Sequence, residues 1–118
     1  MEKFKFNEKT NSLFQAIIGL KNLKEAERFF RDLCTIEEIT EMSERWQIAR
    51  LVNQGLPYRE IAEKLAVSTT TVARVALWLN NGAGGYRLAL SRLNNTSTEL
   101  NTNHHTPFKL RKGLLLSS

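Results

Sequence analysis

The sequence of 118 residues predicts an all-α fold, and three observations support this prediction. Only two prolines and six glycines are available to interrupt helices. Apolar residues recur mainly at the spacing that places them on one face of a helix. No segment shows the alternation of apolar and polar residues that is typical of a half-buried strand. The length suits one compact domain with tails.

The first two helices are predicted from apolar spacing and one capping signal. The apolar side of a first helix, over about residues 8–20, consists of Leu13, Phe14, Ile17 and Ile18. Asn22 can cap a second helix, because Glu25 follows at the third position as in a capping box. The inner face of that second helix consists of Leu23, Ala26, Phe29, Phe30 and Leu33.

A long third helix is predicted over about residues 36–54. Thr35 and Glu38 repeat the capping-box pattern at its start, and Gly55 can supply a left-handed cap at its end. Its apolar stripe consists of Ile39, Met42, Trp46, Ala49 and Val52, with Ile48 and Leu51 beside it.

The second half of the chain predicts shorter elements. Pro57 favours a turn or a first helical position, and a helix over about 58–65 follows it. Ser68 can cap a helix that continues to about Asn80, where the glycine-rich residues 81–85 end it.

One last short helix is predicted from Tyr86 to Leu93, with Leu88, Leu90 and Leu93 on its apolar side. Eleven of the last 25 residues are Asn, Thr or Ser, which predicts a polar, disordered tail over 94–118. Residues 1–93 are then predicted to form one helical domain.

The distribution of charge separates a neutral first half from a basic second half. Residues 1–54 contain nine basic and nine acidic side chains, whereas residues 55–93 contain five basic and two acidic ones. The formal net charge of the chain is +5. This asymmetry favours a scaffold joined to a part that faces a polyanion.

Several classes of protein are excluded by what the sequence lacks. No apolar run is long enough for a membrane span and no secretory signal is present, so we expect a cytoplasmic protein. Cys34 has no second cysteine for a disulfide or a zinc site, and His104 and His105 lack further ligands at suitable spacing. No catalytic triad or carboxylate pair is apparent. We expect neither an enzyme nor a metal or cofactor site.

The stretch from Tyr58 to Leu77 has the spacing of a helix-turn-helix, in which two short helices cross around a tight turn. Ala62 is small at the position of closest helix approach. Ala66 stands in the turn where glycine is most frequent, which costs some conformational freedom. The apolar positions that lock the second helix against the first are Ile61, Leu65, Val67, Val72 and Val75.

The polar residues of this motif fall on the side that would face DNA. Hydroxyl groups cluster at the start of the second helix, where N–H groups and the helix dipole favour phosphate. Arg74 lies opposite the core side, and Ala73 could contact a thymine methyl group. The predicted DNA-contacting residues are Tyr58, Arg59, Lys64, Ser68, Thr69, Thr70, Thr71, Ala73 and Arg74.

Two other interpretations of the same motif are open. The first is an ordinary helical hairpin whose exposed face happens to hold Thr and Arg. The second is a helical module whose hydroxyl-rich face binds another protein. The response to salt separates these alternatives, because phosphate contacts weaken steeply as the salt concentration rises.

Five short segments between Cys34 and Tyr86 carry a family resemblance. They are TIEE at 35–38, ERW at 44–46, GLPYREI at 55–61, STTTVAR at 68–74 and LNNG at 79–82. Together they resemble the tryptophan-repressor superfamily, and more closely its low-molecular-weight branch of repressor-like regulators. The resemblance implies a six-helix, intertwined homodimer from which two helix-turn-helix heads project. We therefore expect residues 1–93 to serve dimerisation and DNA binding, with 56–80 as the reading head.

The composition supports dimerisation independently of that resemblance. The large apolar residues of the first half form more surface than a thin helical monomer could cover. They are Phe14, Ile17, Ile18, Phe29, Phe30 and Trp46. A dimer would space two reading helices about one DNA turn apart, as a repressor on a pseudo-palindromic operator requires.

The resemblance also implies an effector pocket at Thr35, Arg45 and Arg74. The tryptophan-binding members have glycine after the second arginine, whereas Val75 stands there in this chain. Valine would fill the space of the indole ring, so we expect no binding of L-tryptophan in that manner. Two alternatives stay open: Arg45 pairs with a carboxylate such as Glu41 while Arg74 grips phosphate, or the pair binds another small anionic ligand.

Overall fold

The computed structural model describes residues 4–103, and this part of the chain contains six α-helices and no strand. The helices are α1 (Glu8–Ile18), α2 (Leu23–Leu33), α3 (Ile36–Asn53), α4 (Tyr58–Leu65), α5 (Thr69–Asn81) and α6 (Gly85–Asn103). The predicted all-α fold is therefore confirmed. None of the helices in the described range combines the length and apolar character needed to cross a membrane. The chain divides into two compact units, one ending at Glu41 and the other beginning at Met42.

The predicted capping signals are present at the starts of α2 and α3. The Asn22 Oδ1 accepts the Glu25 amide at 2.9 Å. The Thr35 Oγ1 accepts the Glu38 amide at 3.0 Å, and the Glu38 carboxylate accepts the Thr35 amide at 2.8 Å, which completes a capping box. These reciprocal bonds satisfy N–H groups that a helix start leaves without partners.

Two glycines explain where α3 and α5 end. Gly55 has a φ of +90°, and the amides of Gly55 and Leu56 donate to the carbonyls of Val52 and Leu51. This is the Schellman arrangement that closes a helix with a left-handed residue. Gly82 lies so close to the Trp78 carbonyl that a Cβ atom there would collide with the backbone.

The second unit has a core built from α3, α4 and α5. Its buried side chains are Ile48, Ala49, Ile61, Ala62, Val72 and Val75. Trp46 and Tyr86 pack against this cluster, and their rings stack with centroids 6.4 Å apart. The core therefore joins both short helices to the long helix that precedes them.

The first unit has no fully buried side chain among its described residues. The predicted inner face of α2 is only partly covered: Phe29 and Phe30 are half-buried, whereas Leu23 is 73% exposed. On α1, Ile18 is 80% exposed. Within the described residues, nothing covers these apolar faces fully.

The predicted end of the last helix at Leu93 is wrong, because α6 continues to Asn103. The first ten residues of the predicted disordered tail are therefore helical. No Gly or Pro interrupts the chain between Gly85 and Asn103, and Asn, Thr and Ser are only moderately unfavourable in a helix. The rest of the predicted tail, 104–118, lies outside the described residues.

Candidate nucleic-acid interface

The candidate interface is built on α4 and α5, which pack together across a turn of three residues, 66–68. The positions predicted to lock the two helices are covered: Ile61, Val72 and Val75 are buried, and Leu65 and Val67 are half-buried. This packing fixes which side of α5 can face outward.

Ala66 makes the turn in a left-handed conformation, with a φ of 57° and a ψ of 45°. The amides of Ala66 and Val67 both donate to the Ala62 carbonyl, the latter at 3.0 Å. Alanine lacks the freedom of glycine at positive φ, so this turn is mildly strained. Ala66, which stands where glycine is most frequent in this motif, therefore occupies a backbone conformation that is less favourable for alanine than for glycine.

Ser68 and Thr71 use their hydroxyl groups on each other and on the helix cap. The Ser68 Oγ accepts the Thr71 amide at 3.0 Å, and the two hydroxyl oxygens lie 2.9 Å apart. The side chains of Thr69 and Thr70 are exposed and make no hydrogen bond to any described residue. The cluster of four hydroxyls thus consists of one capping pair and one outward-facing pair.

The outward face of α5 consists of Thr70, Ala73, Arg74 and Leu77, all of them exposed. The opposite face consists of the buried Val72, Val75, Ala76 and Leu79. Leu77, which is 52% exposed, is not among the DNA-contacting residues that the sequence predicts. Its position four residues after Ala73 is the signal that would have identified it.

The predicted contact residues on α4 are also accessible. Tyr58 and Arg59 lie in the first turn of α4 and Lys64 in its last turn, and all three are exposed. Glu60 and Glu63 are exposed on the same helix, so the cations of α4 are balanced by carboxylates. By contrast, α5 carries Arg74 and no acidic residue. Its outward face is therefore the more favourable one for a polyanion.

The residues of the implied effector pocket have separate environments. Thr35 caps α3 within the first unit. Arg45 and Arg74 are both exposed, and neither forms a hydrogen bond or an ion pair with any described residue. Val75 is 2% exposed and belongs to the core, as predicted.

An aromatic cleft lies where α5 ends and α6 begins. It has a volume of about 410 Å³, and its lining residues are Trp46, Trp78, Gly82, Ala83, Gly85, Tyr86 and Ala89. No charged side chain lines it. Within the described range, no group of three or more His, Cys, Asp or Glu residues could hold a metal ion.

Comparison with known proteins places most of the helical region, residues 8–94, in one family. The sequence model of the family described as Trp repressor protein matches residues 8–94. Uncharacterized protein YerC of Bacillus subtilis (strain 168) is 43% identical over 89 residues, which cover 75% of this chain and 86% of that protein.

Two crystal structures have the same fold. A TrpR-like protein from Eubacterium eligens ATCC 27750 superposes with a TM-score of 0.71 at 43% identity, covering 75% of this chain and 91% of that chain. A Staphylococcus aureus protein provisionally described as a Trp repressor has a TM-score of 0.71 at 38% identity, with 75% and 89% covered. These matches confirm the resemblance inferred from the five sequence segments.

Proposed function

Since the chain belongs to the Trp repressor protein family, we propose that it is a sequence-specific DNA-binding transcriptional regulator. In this proposal it acts in the cytoplasm as a homodimeric repressor on a pseudo-palindromic operator. Each protomer inserts α5 into the major groove and so blocks the DNA to other proteins.

The observation that carries this proposal is the outward face of α5. It presents the Thr70 hydroxyl and the Arg74 guanidinium, with no acidic residue on the helix, and the exposed Thr69 lies next to it in the first turn. Its buried face is locked to α4 and α3 by the core. A rigid helix with one polar, cationic face fits the edges of base pairs between two phosphate backbones.

The first turn of α5 suits phosphate in particular. The backbone N–H groups of Thr69 and Thr70 have no acceptor among the described residues. They stand at the positive end of the helix dipole, where an anion is stabilised. We assign two groups of side chains to DNA. The contacts with the sugar-phosphate backbone that position the protein come from Ser68, Thr71, Tyr58 and Lys64. The contacts with base edges or phosphates come from Arg59, Thr69, Thr70, Ala73 and Arg74.

Dimerisation is supported by the exposed apolar faces of the first unit. Ile18 and Leu23 are almost fully accessible, and Phe14, Leu33 and Ile36 are also exposed. A monomeric protein rarely leaves so many large apolar side chains in water. A second copy of the chain would cover these faces and hold two reading heads at a fixed spacing.

DNA binding is tested by selecting sequences from a random duplex pool and measuring the affinity of the selected duplex against salt concentration. We expect log K to fall linearly with log salt, with a slope of about −0.9 per phosphate contacted. No retention of any duplex, or binding that salt does not weaken, would favour the alternative of a protein-interaction module.

Base reading is tested with Arg59→Ala and Thr70→Ala, and with Arg28→Ala on α2 as the control. Arg59→Ala should lower discrimination at particular base pairs by about 1–3 kcal/mol, and Thr70→Ala should lower it by less, because a hydroxyl both donates and accepts. Arg28 is exposed outside the second unit, and its replacement should leave discrimination unchanged. Equal losses on selected and random DNA would assign the two side chains to the phosphate backbone.

Dimerisation is tested by Ile18→Glu, with Gln15→Glu on the same helix as a control of equal charge. Both residues are exposed in the single chain. A carboxylate in a covered apolar face is strongly unfavourable. We expect Ile18→Glu to sediment as a monomer and Gln15→Glu as a dimer, and two dimeric variants would contradict the proposed interface.

A further inference from the structure

An apolar strip runs along the outward face of α5. Ala73 and Leu77 are four residues apart, and Thr70 precedes Ala73 by one turn, so the three side chains follow one another on one side of the helix. Leu77 is 52% exposed, whereas the preceding Ala76 is buried. About half of its surface is therefore open to solvent.

The hydrogen-bonding groups of α5 are few. From Thr69 to Leu79 the helix contains no Asn, Gln, Asp or Glu. The stretch 69–79 therefore has no amide to pair with adenine in two hydrogen bonds and no carboxylate to accept from cytosine; the two asparagines of α5, Asn80 and Asn81, stand at its last two positions. Arg74 is its one group able to grip guanine in that way, and the threonine hydroxyls discriminate weakly because they both donate and accept.

We propose that Ala73 and Leu77 recognise thymine through its C5 methyl group, so that thymine methyls are the main sequence determinant read by α5. This inference rests on the proposed DNA binding and names the chemistry of its specificity. The methyl group is the one apolar feature that a base pair presents in the major groove, and alanine is a known partner for it.

The length of the strip agrees with this assignment. Leu77 lies seven positions after Thr70, which corresponds to about 10 Å along the helix axis. Base pairs rise by about 3.4 Å each, so the strip spans about three of them. A leucine gains nothing from phosphate oxygens, whereas burial against a methyl group removes apolar surface from water. We therefore expect two or more thymines in each half-site.

The test replaces thymine by deoxyuridine, which removes the methyl group and leaves base pairing intact. A duplex is first selected from a random pool, and each of its thymines is then replaced singly. We expect the affinity to fall about fourfold for each methyl that Ala73 or Leu77 contacts, the equivalent of one buried methyl group. Unchanged affinity at every position would overturn the proposal while leaving DNA binding itself intact.

A matched pair of variants assigns the effect to Leu77. Leu77→Ala removes a leucine that is 52% exposed on α5, and Leu88→Ala removes one that is 55% exposed on α6. The ratio of thymine to deoxyuridine affinity should fall to about one at one position in each half-site for Leu77→Ala and stay unchanged for Leu88→Ala. A dissociated Leu77→Ala dimer with an unchanged ratio would assign Leu77 to a protein contact and overturn its role. Failure to retain any duplex would overturn both this proposal and the proposed function.

Discussion

The Arg87 Nη2 donates a 2.6 Å hydrogen bond to the Asn80 Oδ1. Asn80 lies in the last turn of α5 and Arg87 near the start of α6, so this bond spans the glycine-containing turn between the two helices. It ties the end of the proposed DNA-reading helix to the element that follows it. The consequence is that the orientation of α5 is held at both ends, by the core at one and by this bond at the other.

This bond predicts a measurable coupling between the two residues. Asn80→Ala and Arg87→Ala should each lower the free energy of unfolding by at most about 1 kcal/mol, because both side chains are exposed. A double-mutant cycle at constant protein concentration should give a coupling of about 0.5 kcal/mol or more. Strict additivity of the two losses would mean that the hydrogen bond contributes nothing in solution.

Ala66→Gly should stabilise the protein, because it relieves the left-handed strain of the turn at a φ of 57°. We expect a gain of about 0.5–1 kcal/mol in urea unfolding, after allowance for the greater freedom of glycine in the unfolded chain. Ala89→Gly, at an exposed position inside α6, is the control and should destabilise by about 1 kcal/mol. Destabilisation by both variants would show that the turn is not strained.

Graded truncation of Ile61 should reveal how tightly the second unit is packed. Ile61 has no exposed surface. Ile61→Val should cost about 0.5–1.5 kcal/mol and Ile61→Ala about 2–5 kcal/mol. Glu63→Ala, on the exposed side of the same helix, should change the stability by less than about 0.5 kcal/mol. Similar small losses for all three variants would contradict a packed core at α4.

L-tryptophan should not bind between the long helix and the reading head. Val75 is 2% exposed, so its side chain occupies the space that the resemblance assigns to glycine in tryptophan-binding members. A titration followed by chemical shifts should show no saturable change at micromolar ligand. Saturable shifts centred on Arg45 and Arg74 would disprove this expectation and restore the effector pocket.

Local signals predicted most of the helix boundaries. Asn22, Thr35, Gly55 and Ser68 each act through hydrogen bonds or a backbone conformation within a few residues of themselves. Such short-range effects are visible in the sequence because the participating residues are adjacent in it. The inward-facing positions of α4 and α5 were predictable for the same reason, since their spacing follows the helical repeat.

What the sequence did not predict depends on contacts or on competition between weak preferences. The hydroxyl pairing of Ser68 with Thr71 is a choice of side-chain rotamer that spacing alone does not determine. The stacking of Trp46 on Tyr86 joins residues that are far apart in the chain. The extension of α6 past Leu93 is hard to predict because its polar composition is typical of a tail, whereas the segment contains no Gly or Pro that would break a helix.

The uncovered faces of α1 and α2 have a consequence for the life of the protein in a cell. Each helix has 11 residues, and segments of that length are marginal in water without packing. The second unit has a buried core of its own, whereas the first unit of a single copy leaves large apolar side chains accessible to chaperones and proteases. In the proposed dimer a second copy covers these faces, so the share of chains with a folded first unit would rise with the concentration of the chain itself.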